Sequence, residues 1–203
     1  MTGIERLWIA IYRRADCERI LMLRIALILV IVVSVVILGA KLFSRSAPAA
    51  GSAAPDFALP SQAGDVVRLQ EFRGMWVVLY FYPKDMTPGC TREAHNFQID
   101  QQKYAERRAV VLGVSVDSVG SHKKFCAKEG LNFKLLADVD GKVSGAYGSL
   151  TNLGFAKFAA RHTFVIDPGG NVAKSYLSVD PARHSSEVLA ALDELRALPN
   201  SIN

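Results

Sequence analysis

Hydrophobic positions along the chain fall into three kinds of pattern. One is a long aliphatic stretch, Ile25 to Ala40, interrupted only by Ser34 and Gly39 and extended by Leu21-Met22-Leu23 and Leu42-Phe43. Another is a pair of unbroken apolar runs, Trp76–Tyr82 and Ala109–Val116, as expected of central strands covered on both faces. Between those runs, residues 91–108 are polar, with Ala94, Phe97, Ile99 and Tyr104 spaced as an amphipathic helix requires. Strand, helix and strand make a βαβ unit, so the two strands are expected to be parallel, joined by a right-handed crossover.

Farther along, residues 121–129 predict a short basic helix. Thr163–Ile166 and Val172–Tyr176 flank the turn sequence Asp167-Pro168-Gly169-Gly170 and are expected to pair as a hairpin. A last helix, about Ser185 to Leu198, carries Val188, Leu189, Leu192 and Leu195 at helical spacing, with Ser185 as its N-cap. This order of elements predicts an α/β domain of thioredoxin-like plan, a central mixed sheet flanked by helices.

The aliphatic stretch has the ~20 residues needed to cross a bilayer. Arg6, Arg13, Arg14, Arg19 and Arg24 precede it, and only Lys41 and Arg45 closely follow. The positive-inside rule then puts the N-terminus in the cytoplasm and everything after Phe43 on the far side. The expected organisation is a cytoplasmic segment 1–24, a transmembrane anchor 25–43, an Ala/Ser/Pro linker 44–54 and a domain 55–203. A cleaved secretory signal is the alternative, with Ala47–Ser52 as the cleavage tract, although the apolar core and the leader before it are long for one. On either reading the domain is exported: anchored to the membrane or secreted after cleavage, and periplasmic in a Gram-negative host.

Composition narrows the chemistry. Charged residues are 21% of the chain and aromatics 9%, which excludes a disordered chain. The net charge of +5 divides into +4 before residue 55 and +1 after it, so the basic excess flanks the apolar segment. No basic stripe remains to read a nucleic acid, and no nucleic-acid partner is expected. Three cysteines without a Cys-x-x-Cys spacing exclude a disulfide scaffold and a zinc ribbon. Cys17 falls on the cytoplasmic side of the anchor, as a bystander thiol. His95, His122, His162 and His184 show no metal-ligand spacing and are each expected to be solvent-exposed or locally hydrogen-bonded. No phosphate loop, dinucleotide fingerprint or haem-attachment motif is present, so neither a cofactor nor a metal is expected.

One loop stands out. The first central strand runs into Pro83-Lys84-Asp85-Met86-Thr87-Pro88-Gly89-Cys90, where the helix begins. A cysteine in the first turn of a helix meets the positive end of the helix dipole and unpaired backbone N–H groups. Both favour the nucleophilic thiolate. Pro-Gly before it reads as a tight turn, and the loop lies beyond the carboxyl end of the strand, where open α/β folds bind ligands.

Pro83-x-x-x-Thr87-x-x-Cys90, within Tyr80-Phe81-Tyr82-Pro83-Lys84-Asp85-Met86-Thr87-Pro88-Gly89-Cys90-Thr91-Arg92-Glu93, resembles the active-site motif of the peroxiredoxins, in particular the bacterioferritin-comigratory or Q-type subgroup. The likeness extends from Ala54-Pro55-Asp56-Phe57 through Arg161–Asp167, nearly the whole domain, and does not cover the anchor. It implies a thiol-dependent peroxidase for hydrogen peroxide and organic hydroperoxides, monomeric as the subgroup often is. Cys90 would be the peroxidatic cysteine, oxidised to a sulfenic acid. Thr87 would orient sulfur and peroxide, and Arg161, from a neighbouring strand, would stabilise the thiolate and the departing oxygen. Pro83 would shape the loop and shield the sulfur, and Glu93 would orient the arginine.

Many members of the subgroup carry a second cysteine five residues after the first, where this chain has His95. Some relatives instead resemble the arrangement in which Cys126 resolves the sulfenic acid as an intramolecular disulfide. The bland alternative is that Cys126 packs beside Phe125. A Cys90–Cys126 bond needs Cα atoms within ~7 Å, so the first turn at Cys90 and the helix around Cys126 are expected to unfold locally. Reduction would fall to a thioredoxin-like donor outside the cytoplasm. Two other functions remain open: a thioredoxin-like disulfide oxidoreductase, which would need a cysteine where Thr87 stands, and a non-catalytic redox sensor on the same fold.

Overall fold

The structure is a computed structural model that describes Arg24, residues 27–34 and residues 46–197. The chain divides into two units, residues 1–44 and residues 45–203. In the first unit, residues 27–34 are helical and their aliphatic side chains are exposed. Among the described residues no helix is long and apolar enough to cross a membrane. The rest of the 25–43 stretch, and Cys17, lie outside the described residues.

The second unit begins with a short antiparallel pair, β1 (Ala58–Pro60) and β2 (Val66–Arg68), followed by a 3-10 turn at Leu69–Phe72. Then come β3 (Trp76–Phe81), α1 (Pro88–Ile99), α2 (Gln101–Glu106), β4 (Ala109–Ser115), α3 (Val119–Glu129) and β5 (Lys134–Ala137). The remainder is α4 (Lys142–Ala146), a small antiparallel pair β6 (Leu150–Asn152) and β7 (Lys157–Ala159), then β8 (Thr163–Ile166), β9 (Val172–Tyr176) and α5 (His184–Ala197). The central sheet has the order β5-β4-β3-β8-β9. β3, β4 and β5 are parallel, while β8 and β9 run antiparallel to their neighbours. This is the expected mixed sheet of a thioredoxin-like fold, and both the βαβ unit and the β8–β9 hairpin form as the sequence predicts.

Every residue of β3 is buried, because side chains alternate between two separate apolar layers. Trp76, Val78 and Tyr80, with Tyr82 just past the strand, face α1, α3 and α5 and meet Phe97, Phe125, Val188 and Leu192. Val77, Leu79 and Phe81 face the other way, against Phe57, Leu59, Val67, Tyr147 and Phe164. Cys90 and Cys126 both belong to the first layer.

Three local expectations change. Residues 91–108 are not one helix: the backbone breaks at Asp100, whose carboxylate accepts from Ser185 Oγ at 2.7 Å and Lys103 Nζ at 2.7 Å. Phe97 and Tyr104 are buried on either side of the break, whereas Ile99 is 76% exposed. Ser185 is therefore not an N-cap; α5 starts at His184, and the serine ties it to Asp100 and to Tyr104. Within the stretch read as linker, Gly51 and Ala54 donate backbone hydrogen bonds to Val172 and Gly170, and Ser52 accepts one from Val172.

Candidate active site

The loop after β3 turns at Asp85–Met86, and Met86 holds a left-handed backbone at φ 59°. That conformation is costly for a side chain with a Cβ, so the surrounding loop must hold it in place. Thr87 follows as the N-cap of α1, extended at φ −85° and ψ 147°. Pro88 occupies the first helical position, where its missing N–H costs no hydrogen bond. Pro88 and Gly89 are thus the first two residues of the helix rather than a tight turn, and Cys90 is the third. The Thr87 hydroxyl makes no capping bond and donates instead to the Lys84 carbonyl at 3.1 Å. Its oxygen lone pairs remain able to accept a hydrogen bond from a ligand. Pro83 sits half-buried in the bend that leaves β3.

Cys90 is 1% exposed. Arg161 reaches it from the bend between β7 and β8, one residue beyond Ala160, rather than from within a strand. Its Nη2 donates to Cys90 Sγ at 3.4 Å, and its Nη1 donates to Glu93 Oε2. Glu93 lies one helical turn after Cys90 and is itself buried. Burial pushes the Glu93 carboxyl up to about 7, against the opposing pull of Arg161. Glu93 Oε1 has no hydrogen-bond partner among the described residues, which leaves half of a buried carboxylate unsatisfied there. Burial works against the charge of Arg161, but Glu93 and Cys90 together hold its pKa above the ordinary value.

The structure therefore joins Cys90, Arg161 and Glu93 directly, and places Thr87 at the cap of the same helix. Cys126 lies on α3, 8% exposed, with its thiol free like that of Cys90. Burial, with the charge of Asp85 in support, pushes the Cys126 thiol up to about 11.

Several neighbours carry no signal in the loop sequence. A Cβ at Gly89 would lie 3.2 Å from Arg161 Nη2, close enough that the guanidinium would have to give by a few tenths of an ångström. Tyr80 is fully buried, and its hydroxyl has no partner among the described residues. Burial raises its pKa well above the ordinary value, and Glu93, Cys90, Cys126 and Asp85 add to the rise, which puts that hydroxyl in the field of both thiols. The histidines differ from one another. His95 pairs with Glu129 at 2.9 Å and His162 with Ser149 at 3.0 Å. His122 and His184 are wholly buried, and the partners of His122 are more than thirty residues away in sequence. Burial, helped by the charge of Arg161, lowers His184 to about 4, so a neutral imidazole sits near the guanidinium.

A thioredoxin-like sheet, a buried cysteine at a helix start and a guanidinium on its sulfur define a thiol-dependent peroxidase. Comparison with known proteins agrees. Residues 50–175 match the AhpC/TSA family. The chain is 40% identical over 149 residues to Peroxiredoxin Bcp of Bacillus subtilis, covering 71% of this chain and 95% of that protein. It is 42% identical over 146 residues to chloroplastic Peroxiredoxin Q of Oryza sativa subsp. japonica, covering 71% and 67%. Among solved structures, Peroxidoxin BcpB of Mycobacterium tuberculosis superposes with a TM-score of 0.70 at 35% identity, over 74% of this chain and 99% of that one. Peroxiredoxin Q of Xanthomonas campestris does so with a TM-score of 0.63 at 38% identity, over 68% and 90%. The chain belongs to the AhpC/TSA family and is a peroxiredoxin enzyme of the Bcp and Q kind.

Proposed function

We propose that this peroxiredoxin reduces hydrogen peroxide and organic hydroperoxides through a sulfenic acid on Cys90, resolved as a disulfide with Cys126. The observation that carries the reading is the single guanidinium shared between Cys90 Sγ and Glu93. The Cys90 thiolate attacks the terminal peroxide oxygen; the O–O bond breaks as the S–O bond forms. The departing alkoxide or hydroxide takes a proton and leaves as alcohol or water. Arg161, fixed in place, stabilises negative charge first on sulfur and then on the leaving oxygen, at no cost in reorganisation. Thr87 accepts the peroxide O–H, since its own proton is engaged by Lys84. Pro83 closes the loop over the sulfur, and Glu93 holds the guanidinium in register.

In resolution the Cys126 sulfur attacks the sulfenic sulfur, an S–S bond replaces the S–O bond, and water leaves with the Cys126 proton. The cysteines are buried on different helices, and the Cys126 thiol, pushed up to about 11, gives up its proton in this step. The first turn of α1 and the helix around Cys126 unwind to let them meet. A thioredoxin-like dithiol donor then reduces the disulfide. The domain acts outside the cytoplasm, behind the apolar N-terminal stretch, as a monomer.

The test is multi-turnover peroxide reduction with a thioredoxin-type donor, with disulfides mapped by non-reducing mass spectrometry. A Cys90–Cys126 bond that forms on oxidation, and turnover that collapses in Cys126→Ser, are the expected results. Unchanged turnover in Cys126→Ser would overturn the resolving role. Alkaline phosphatase fused after Asn203 reads sidedness: activity supports export, and inactivity contradicts it.

A further inference from the structure

Beside the two thiols lies a buried polar cluster that peroxide chemistry does not use. The Asp85 carboxylate accepts from Tyr82 Oη at 2.7 Å, Ser121 Oγ at 2.7 Å and His122 Nδ1 at 2.9 Å. Asp85, Tyr82 and His122 are all nearly or wholly buried. The Asp85 backbone N–H donates to Asp117 Oδ2 at 2.9 Å, and that oxygen also accepts from Ser115 Oγ at 2.7 Å. The loop before Cys90 is thereby fastened to the end of β4 and the start of α3. Burial opposes the charge on Asp85, but the hydrogen bonds from His122, Ser121 and Tyr82 win and hold its carboxyl below the usual range.

The cluster sits between the two cysteines in a specific sense. Asp85 precedes Cys90 by five residues, and His122 precedes Cys126 by four, one helical turn along the same buried face. Anchoring is uneven around it. The start of α3 is capped, with Ser118 Oγ accepting from Ser121 N at 3.2 Å, and is pinned again by Ser121 and His122 on Asp85. The start of α1 has no side-chain cap. Breaking the cluster would strand a carboxylate and an imidazole away from water, whereas unwinding the first turn of α1 strands neither.

We propose that Asp85 and His122 are positioning residues for resolution, forming a fixed pivot that stays closed while the two cysteine-bearing turns unwind. The inference rests on the Cys90–Cys126 disulfide proposed above. With the pivot closed, the free arms are five residues to Cys90 and four to Cys126. With every bond of the cluster gone, Asp85–Asp117 included, they lengthen to the strand ends, nine residues back to Phe81 and eleven back to Ser115. Loop-closure scaling then lowers the chance of sulfur meeting sulfur about threefold, before any loss of orientation.

Stopped-flow oxidation of the reduced full-length protein separates the two steps. Expected for His122→Phe is an unchanged rate of reaction with hydrogen peroxide. Disulfide formation slows by up to about threefold, and the Cys90 sulfinic acid fraction rises by mass spectrometry. Ser121→Ala, which removes one bond and preserves the ring, is expected to show the same split to a smaller degree and serves if the first variant does not fold. In a Cys126→Ser background the two substitutions are expected to change nothing further. Disulfide formation at an unchanged or faster rate in both variants overturns the pivot while leaving the disulfide intact. Failure of the unsubstituted protein to form a Cys90–Cys126 bond overturns the disulfide reading itself, and the pivot with it.

Discussion

Arg161 places Nη2 on the Cys90 sulfur at 3.4 Å and Nη1 on the Glu93 carboxylate, so one planar guanidinium spans nucleophile and acid. A lysine cannot do both, since its ammonium is a single point on a flexible stem. Arg161→Lys is expected to lower kcat/KM for hydrogen peroxide by roughly a hundred- to a thousandfold, the usual cost of removing one fixed donor to a developing charge. Steady-state peroxide consumption checks it; a loss under tenfold would remove Arg161 from the chemistry.

Gly89 separates activity from stability. Alanine suits a helical position better than glycine, by up to about 1 kcal/mol. Its Cβ, however, would lie 3.2 Å from Arg161 Nη2, so the guanidinium must shift by a few tenths of an ångström against a 3.4 Å contact with the sulfur. Gly89→Ala is expected to melt at or above the temperature of the parent while peroxidase activity falls about tenfold. Thermal melts and peroxide assays on the same preparation read both.

Glu93 gives the site a pH signature. Its carboxyl is raised by burial from 4.5 to about 7, so the folded state binds the proton more tightly than the unfolded chain. Stability from this group is therefore greatest below pH 4.5 and is lost as pH rises through 7. In a Cys90→Ser background, which removes the neighbouring thiol, Glu93→Gln is expected to gain on its parent across that window. The gain is on the order of 3 kcal/mol, and urea unfolding at several pH values measures it. A difference that does not vary with pH would place the Glu93 titration elsewhere.

Cys126 is expected to resist alkylation in the folded, reduced state. A thiol pushed by burial to about 11 holds about a hundredfold less thiolate at pH 8 than one at 9. In Cys90→Ser, labelling by iodoacetamide should be at least that much slower than in urea, followed by mass spectrometry.

The central strands and the helix start were legible because each is a local pattern. β3 and β4 are unbroken apolar runs, and the sequence places a helix start at Cys90, two residues late because Pro88-Gly89 reads locally as a turn. β5 and the β1–β2 and β6–β7 pairs are three or four residues long, too short for periodicity to register. The helix break at Asp100 depends on Ser185, far along the chain, so no window around residue 100 contains its cause. Arg161 and Glu93 came from the family likeness; nothing in their spacing pairs them. The Asp85–His122 contact was missed for the same reason, although a signal existed. His122, Phe125 and Cys126 recur at helical spacing, and that stripe turns the histidine inward.

The most direct test is rapid mixing of the fully reduced protein with one equivalent of hydrogen peroxide, followed by mass analysis of Cys90. Stoichiometric consumption of peroxide with the Cys90 sulfenic acid captured as its dimedone thioether in a Cys126→Ser variant, and none in Cys90→Ser, is the expected result. Peroxide that disappears equally fast in Cys90→Ser, or that persists with the unsubstituted protein, would contradict a nucleophilic sulfur at the start of α1.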